Sequence, residues 1–170
     1  MRHISSLRLY LLMAVTIALL LALGGETPAA GKPTNTARVS KDSQSITSGV
    51  LTDANFDTEN YDVGGLHSLS VDPECLTVPL RGDGVYAISA SVSWGSGTTG
   101  FRFIELLVND GVDVIAVNLV QPPFSGAPAQ NIATQFLLHA GDCVTLAVEH
   151  TQGSGISVDA DLEMTWIAPG

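Results

Sequence analysis

Four stretches decide the fold: GDGVYAISASVSW (82–94), FRFIELLVNDGVDVIAV (101–117), NIATQFLLHAGDCVTLAVEH (131–150) and ISVDADLEMTWI (156–167). In the first, Tyr86, Ile88, Ala90, Val92 and Trp94 fall on one face of an extended chain, and Val85, Ala87, Ser89, Ser91 and Ser93 on the other. One face is bulky and needs burial, while the opposite one is small and mildly polar. The last stretch repeats the pattern: Ile156, Val158, Ala160, Leu162, Met164 and Trp166 alternate with Ser157, Asp159, Asp161, Glu163 and Thr165. A helix would scatter those acids around its circumference, so a strand is predicted.

The breaks between stretches carry turn chemistry. Asn109-Asp110-Gly111 separates two apolar runs and supplies the positive φ that a tight hairpin requires. Ala140-Gly141-Asp142 marks a second reversal, and a Pro/Gly-rich loop over 121–130 divides the two halves. Short strands at this spacing, with no convincing helix after the N-terminus, predict an all-β sandwich or jelly roll rather than a parallel sheet.

Outward from this block, the 170 residues leave room for one domain after the N-terminal segment. Arg2 and Arg8 precede an uncharged run over 9–23, followed by small residues and the polar stretch GGETPAAGKPTNT. As a helix that run spans roughly 22 Å, short of the ~30 Å hydrocarbon core. A signal peptide over 1–25 is expected, helical and cleaved after Gly24 or after Ala29, with an uncleaved anchor as the alternative. A flexible linker over 26–35 and a folded domain over 36–170 follow. No cysteine lies near the cleavage point, which argues against a lipid anchor.

The chain carries 7 basic and 17 acidic residues, a net charge of −10; without Arg2 and Arg8 the balance is 5 against 17, or −12. Such a charge disfavours nucleic acid and anionic membrane surfaces. The expected setting is secreted, extracellular or cell-surface, with no membrane span once the signal is removed.

Taken in order, QSITSGVLTDANFDTENYDVGGLHS (44–68), LTVPLRGDGVYAISASVSW (76–94), the Asn109 hairpin, LLHAGDCVTLAVEH (137–150) and GSGISVDADLEMTWI (153–167) resemble the globular head of complement component 1q, of the bacterial type, within the tumour necrosis factor superfamily. The second segment is similar to that family's F-x-V-P-x-x-G-x-Y signature and the fourth to its L-x-x-G-D-x-V strand. The sequence departs in the added Arg81-Gly82-Asp83, in Trp166 where Phe is usual, and in having no Gly-X-Y repeat ahead of the domain. The resemblance implies a jelly roll of about ten antiparallel strands that forms a homotrimer and acts by binding, not catalysis, toward an extracellular protein or glycan. A structural appendage subunit, such as a spore-surface, sheath or phage-fibre tip, is the alternative.

With the bulky faces inward, Ser89, Ser91 and Ser93 point outward together with Asp159, Asp161 and Glu163. Small residues permit close approach of another subunit around a threefold axis; a merely solvated face is the competing reading. Three copies of Asp159, Asp161 and Glu163 around an axis could hold a hard cation such as calcium, the one cofactor considered. The ordinary reading is that these acids keep the face soluble or pair with Arg38, Lys41 or Arg102. Asp57, Glu59 and Asp62 form a second candidate for calcium, though their spacing matches no EF-hand.

Cys75 and Cys143 in an exported chain invite a disulfide. The expected jelly roll argues the other way: with 76–80 lying antiparallel beside 143–150, the two cysteines fall at opposite ends of the pair, and two unbridged thiols are predicted. No catalytic residue is assigned. His67, His139 and His150 lack a G-x-S-x-G or H-E-x-x-H context, and His67 is expected to make a structural hydrogen bond. Arg81-Gly82-Asp83 matches an integrin-recognition tripeptide but is read as a turn. Ligand specificity is expected in the loops 95–100, 120–130 and 151–155, with Thr98, Gln121 and Phe124 as candidates; Phe124 fits either a contact anchor or a cap on the sandwich.

Overall fold

The computed structural model describes residues 35–121 and 127–170. Ten strands follow in chain order: β1 (Thr36–Ile46), β2 (Thr52–Asp53), β3 (Thr58–Val63), β4 (Leu76–Thr77), β5 (Gly84–Trp94), β6 (Arg102–Val108), β7 (Asp113–Val120), β8 (Ala129–Leu138), β9 (Cys143–His150) and β10 (Ile156–Ala168). They form two antiparallel sheets, β3-β1-β10-β5-β8 and β2-β9-β6-β7, with β4 also on β9. The jelly-roll expectation holds among the described residues. The signal peptide and nearly all of the linker lie outside them.

The alternation in 84–94 becomes the central wall of the core. Tyr86, Ile88, Ala90, Val92 and Trp94 are buried against Ile104, Leu106 and Val108 of β6 and Val144, Leu146 and Val148 of β9. β10 contributes Ile156, Val158, Ala160, Leu162 and Met164. Full burial of such a side chain is worth roughly 1.5–3 kcal/mol, so a one-residue slip of β5 or β10 would forfeit a whole row. Trp166 departs from the expected pattern: the register shifts between Trp166 and Ala168, and the indole packs only half-buried at the rim. Gly84, at φ 155°, sits so close beneath that indole that a Cβ would collide with Trp166 Nε1 and the Ala168 carbonyl.

The hairpin joining β6 to β7 uses the residues the sequence marks. Asn109, Asp110 and Gly111 have φ of 54°, 56° and 82°, and the Val112 N–H returns to the Asn109 carbonyl at 3.2 Å. The Asn109 side chain then reaches the second reversal, donating to Asp142 Oδ1 (2.9 Å) and accepting the Cys143 N–H (3.0 Å). Arg81-Gly82-Asp83 builds a turn, in which the Gly82 carbonyl accepts Tyr86 Oη–H at 2.8 Å and Asp83 Oδ1 accepts the Ala140 N–H at 2.7 Å.

The cysteine expectation is overturned. Cys75 and Cys143 are disulfide-bonded, with Cα atoms 5.4 Å apart, inside the range a bridge requires. β4 does lie antiparallel on β9, as expected; the error was in the register. Only Leu76↔Val144 and Thr77↔Cys143 pair. Val78 then hydrogen-bonds Asp142 and Gly141, so the short strand runs off the start of β9 instead of along its length. Both cysteines therefore sit at the same end.

Candidate functional site

The outward face of the β3-β1-β10-β5-β8 sheet gathers the residues singled out for assembly. Register places them in rows: Asp159, Ser93 and Ala129; Asp161, Ser91 and Asn131; Glu163, Ser89 and Ala133; Thr165, Ala87 and Gln135. Every β5 side chain on this face is Val, Ala or Ser, so the middle of the sheet is lower than its flanks. A shallow concavity of about 390 Å³ results, floored by Ser89, Ser91 and Ala133 and walled by Arg38, Asp161 and Glu163. A second of about 370 Å³ continues it past Ala87, Gln135 and Thr165.

Each acid on this face has a donor of its own. Asp161 accepts from Arg38 Nη2 at 3.1 Å and from Ser91 Oγ at 3.3 Å. Glu163 accepts Tyr61 Oη–H at 2.8 Å, and the Tyr61 phenol is held above its ordinary acidity range by burial first and by that hydrogen bond second. Asp159 accepts the Ser43 N–H at 2.8 Å, where β1 bulges and Ser43 takes φ 57°. Within one chain the three carboxylates stay in separate rows, and among the described residues no three His, Cys, Asp or Glu side chains converge as metal ligands. A cation held on an axis between copies would have to displace these donors.

The second acidic group is occupied as well. Asp57 pairs with Lys41, which pulls its carboxyl below the ordinary range through their hydrogen bond. Asp62 accepts the Leu66 and His67 N–H groups at 3.0 and 3.2 Å. Glu59 meets His67 Nδ1 at 3.0 Å, while His67 Nε2 faces the Pro73 carbonyl at 3.0 Å. His150 is buried, with Nε2 on the Ile46 carbonyl at 3.0 Å and Nδ1 accepting the Gln152 N–H at 3.3 Å. The ring nitrogens of these two histidines are thus spent on strand and loop packing.

Arg102, expected among the cations available to strand acids, does not face them. It is fully buried at one end of the sandwich. Its Nη1 donates to the Thr99 and Phe101 carbonyls at 3.1 and 3.0 Å, Nη2 donates to Gln152 Oε1 at 2.6 Å, and the guanidinium stands 5.7 Å from the Trp94 ring centroid. Trp94 Nε1 in turn donates to Gln130 Oε1 at 2.8 Å. Burial pushes the guanidinium below its ordinary value, and among the described residues Nε has no hydrogen-bond partner. This knot fastens the loops 95–100 and 151–155. Thr98 and Gln121 are exposed on that end; Phe124 lies outside the described residues.

No family model matches the sequence, and no curated protein matches it. Solved structures do. The globular domain of zebrafish complement 1qA aligns over 82% of this chain and 100% of its own, at 17% identity and a TM-score of 0.61. The fold is that of the complement-1q and tumour necrosis factor jelly rolls. Eiger TNF from S. frugiperda aligns over 82% of this chain and 96% of its own at 12% identity and a TM-score of 0.61. Vertex protein P5 of PRD1 does so over 81% and 99% at 17% identity and a TM-score of 0.62. At these identities the complement-1q/TNF-like likeness extends to backbone topology. The rows of Ser, Ala and acid described above are this chain's own.

Proposed function

We propose that this chain is an exported, homotrimeric, non-catalytic jelly-roll module that recognises an extracellular protein or glycan through its apical loops. The observation that carries the reading is the outward face of β10, β5 and β8, a trough of small side chains bordered by hydrogen-bonded acids. A sheet face without bulky residues lets a neighbouring subunit approach closely, and a closed cyclic assembly uses one such surface in every copy. The complement-1q/TNF-like fold supports the same assembly.

Export is supported by the basic and then apolar N-terminal segment and by the Cys75–Cys143 bridge, which suits an oxidising compartment. Among the described residues no helix is long and apolar enough to cross a membrane. Size-exclusion chromatography with light scattering tests the assembly, and binding to glycan and protein arrays tests recognition. The backbone likeness to a phage vertex protein favours a second reading, a structural appendage subunit, which would form the trimer but bind nothing reproducibly on the arrays. A calcium ion on the threefold axis would raise the melting midpoint relative to chelator.

A further inference from the structure

The opposite sheet presents a surface of different chemistry. One row crosses all four of its strands: Asp53 of β2, Ala147 of β9, Glu105 of β6 and Val117 of β7. The next row in the same orientation holds Glu149, Phe103 and Leu119. These side chains point away from the core, which takes Ile104, Leu106, Leu146 and Val148 from the intervening positions. Val117 and Leu119 are 59% and 61% exposed, an apolar edge on β7. Glu105, in contrast, is only 8% exposed.

Glu105 makes no hydrogen bond and no ion pair among the described residues. Burial, then the charges of Asp53 and Glu149, lift its carboxyl above its ordinary acidity range. No cation among the described residues compensates it: Arg38 and Lys41 pair with Asp161 and Asp57 on the other side, Arg81 is exposed in the turn ahead of β5, and Arg102 is buried at the sandwich end. Its carboxylate oxygens are not among the sealed, unpartnered atoms, so a donor can reach them, and with only like charges around the group an incoming cation relieves the repulsion. A metal ion is a poor fit, since among the described residues no three ligating side chains converge there.

We infer that the outward face of β2-β9-β6-β7 is a docking surface for a protein segment presenting an arginine between aliphatic side chains, the guanidinium reaching Glu105 and the aliphatics covering Val117 and Leu119. Charge complementarity selects the occupant. Asp53 and Glu149 flank Glu105, a guanidinium supplies a planar fork of donors to a carboxylate, and the exposed β7 edge gains from apolar cover. The surface lies on the sheet opposite the proposed assembly face, so it stands whether the chain is a monomer or a trimer.

The test uses the full chain, with methyl NMR and two synthetic peptides, Leu-Val-Arg-Val-Leu and its glutamate counterpart Leu-Val-Glu-Val-Leu. The arginine peptide is expected to shift the methyl signals of Val117 and Leu119 saturably, and the glutamate peptide to leave them unmoved. Glu105→Gln should weaken the arginine peptide about tenfold, equivalent to about 1.4 kcal/mol. Leu119→Lys, at an exposed position that the fold tolerates, should weaken it as well. No saturable shift, equal binding by Glu105→Gln, or shifts confined to the other sheet would overturn the inference. Self-association through this face that Glu105→Gln leaves unchanged would also overturn it, assigning the surface to a second copy of the chain.

Discussion

Cys75 and Cys143 are covalently joined where β4 runs off the start of β9, closing a separation of 68 residues. A loop of that length is the case in which a cross-link most restricts the unfolded chain, and the chain-entropy account gives about 4 kcal/mol. We expect the Cys75→Ser/Cys143→Ser double variant to lose about 3–4 kcal/mol in urea unfolding, and reductant to lower the native melting midpoint. A midpoint indifferent to reductant would contradict the bridge.

Glu105 gives a pH signature. Its pKa in the folded state is raised above the ordinary value of 4.5, by burial first, so the folded state prefers the protonated form. The stability this group contributes is complete below pH 4.5 and is lost as pH rises through its raised folded value. Replacing it with Gln removes a penalty present only in the upper range. Glu105→Gln is expected to be more stable than the native chain by about 1 kcal/mol at pH 7, with the gap closing toward pH 4. Urea titrations at the two pH values check this, and a gap of equal size at both would refute it.

Arg102 ties two loops through carbonyl and amide partners, with no carboxylate among them. Arg102→Ala removes those donors and leaves a void beside Trp94. We expect a loss of about 3 kcal/mol and faster amide hydrogen exchange in 95–100 and 151–155 than in the β5–β10 pair. Unchanged exchange in both loops would show that the knot does not hold them.

How much of this could be read from the sequence depends on how local each determinant is. The alternation from Tyr86 to Trp94 and from Ile156 to Met164 is a period-two signal that burial enforces, and Asn109-Asp110-Gly111 states its own turn geometry. Ser89 beside Glu163 and Ser91 beside Asp161 required only that the two strands be neighbours. The disulfide is not legible locally because it depends on β4 pairing for two residues, an offset set by the turns at 78–82 and 139–142. Arg102 read as a surface cation, since nothing nearby in sequence indicates that Thr99, Gln152 and Trp94 close over it. Glu105 can be placed on an outward face by alternation in FRFIELLV. Its lack of a partner among the described residues follows from where Arg38, Lys41, Arg81 and Arg102 sit.

The central claim is assembly through the Ser89–Ser91–Ser93 face, and the most direct measurement is the molar mass of the chain by size-exclusion chromatography with light scattering at micromolar concentration. The account predicts three times the chain mass, falling to one chain mass in Ser91→Arg, which places a long cation in the trough while leaving the inward face of β5 untouched. A native chain that elutes as a monomer, or a Ser91→Arg variant that keeps the trimer mass, would contradict it.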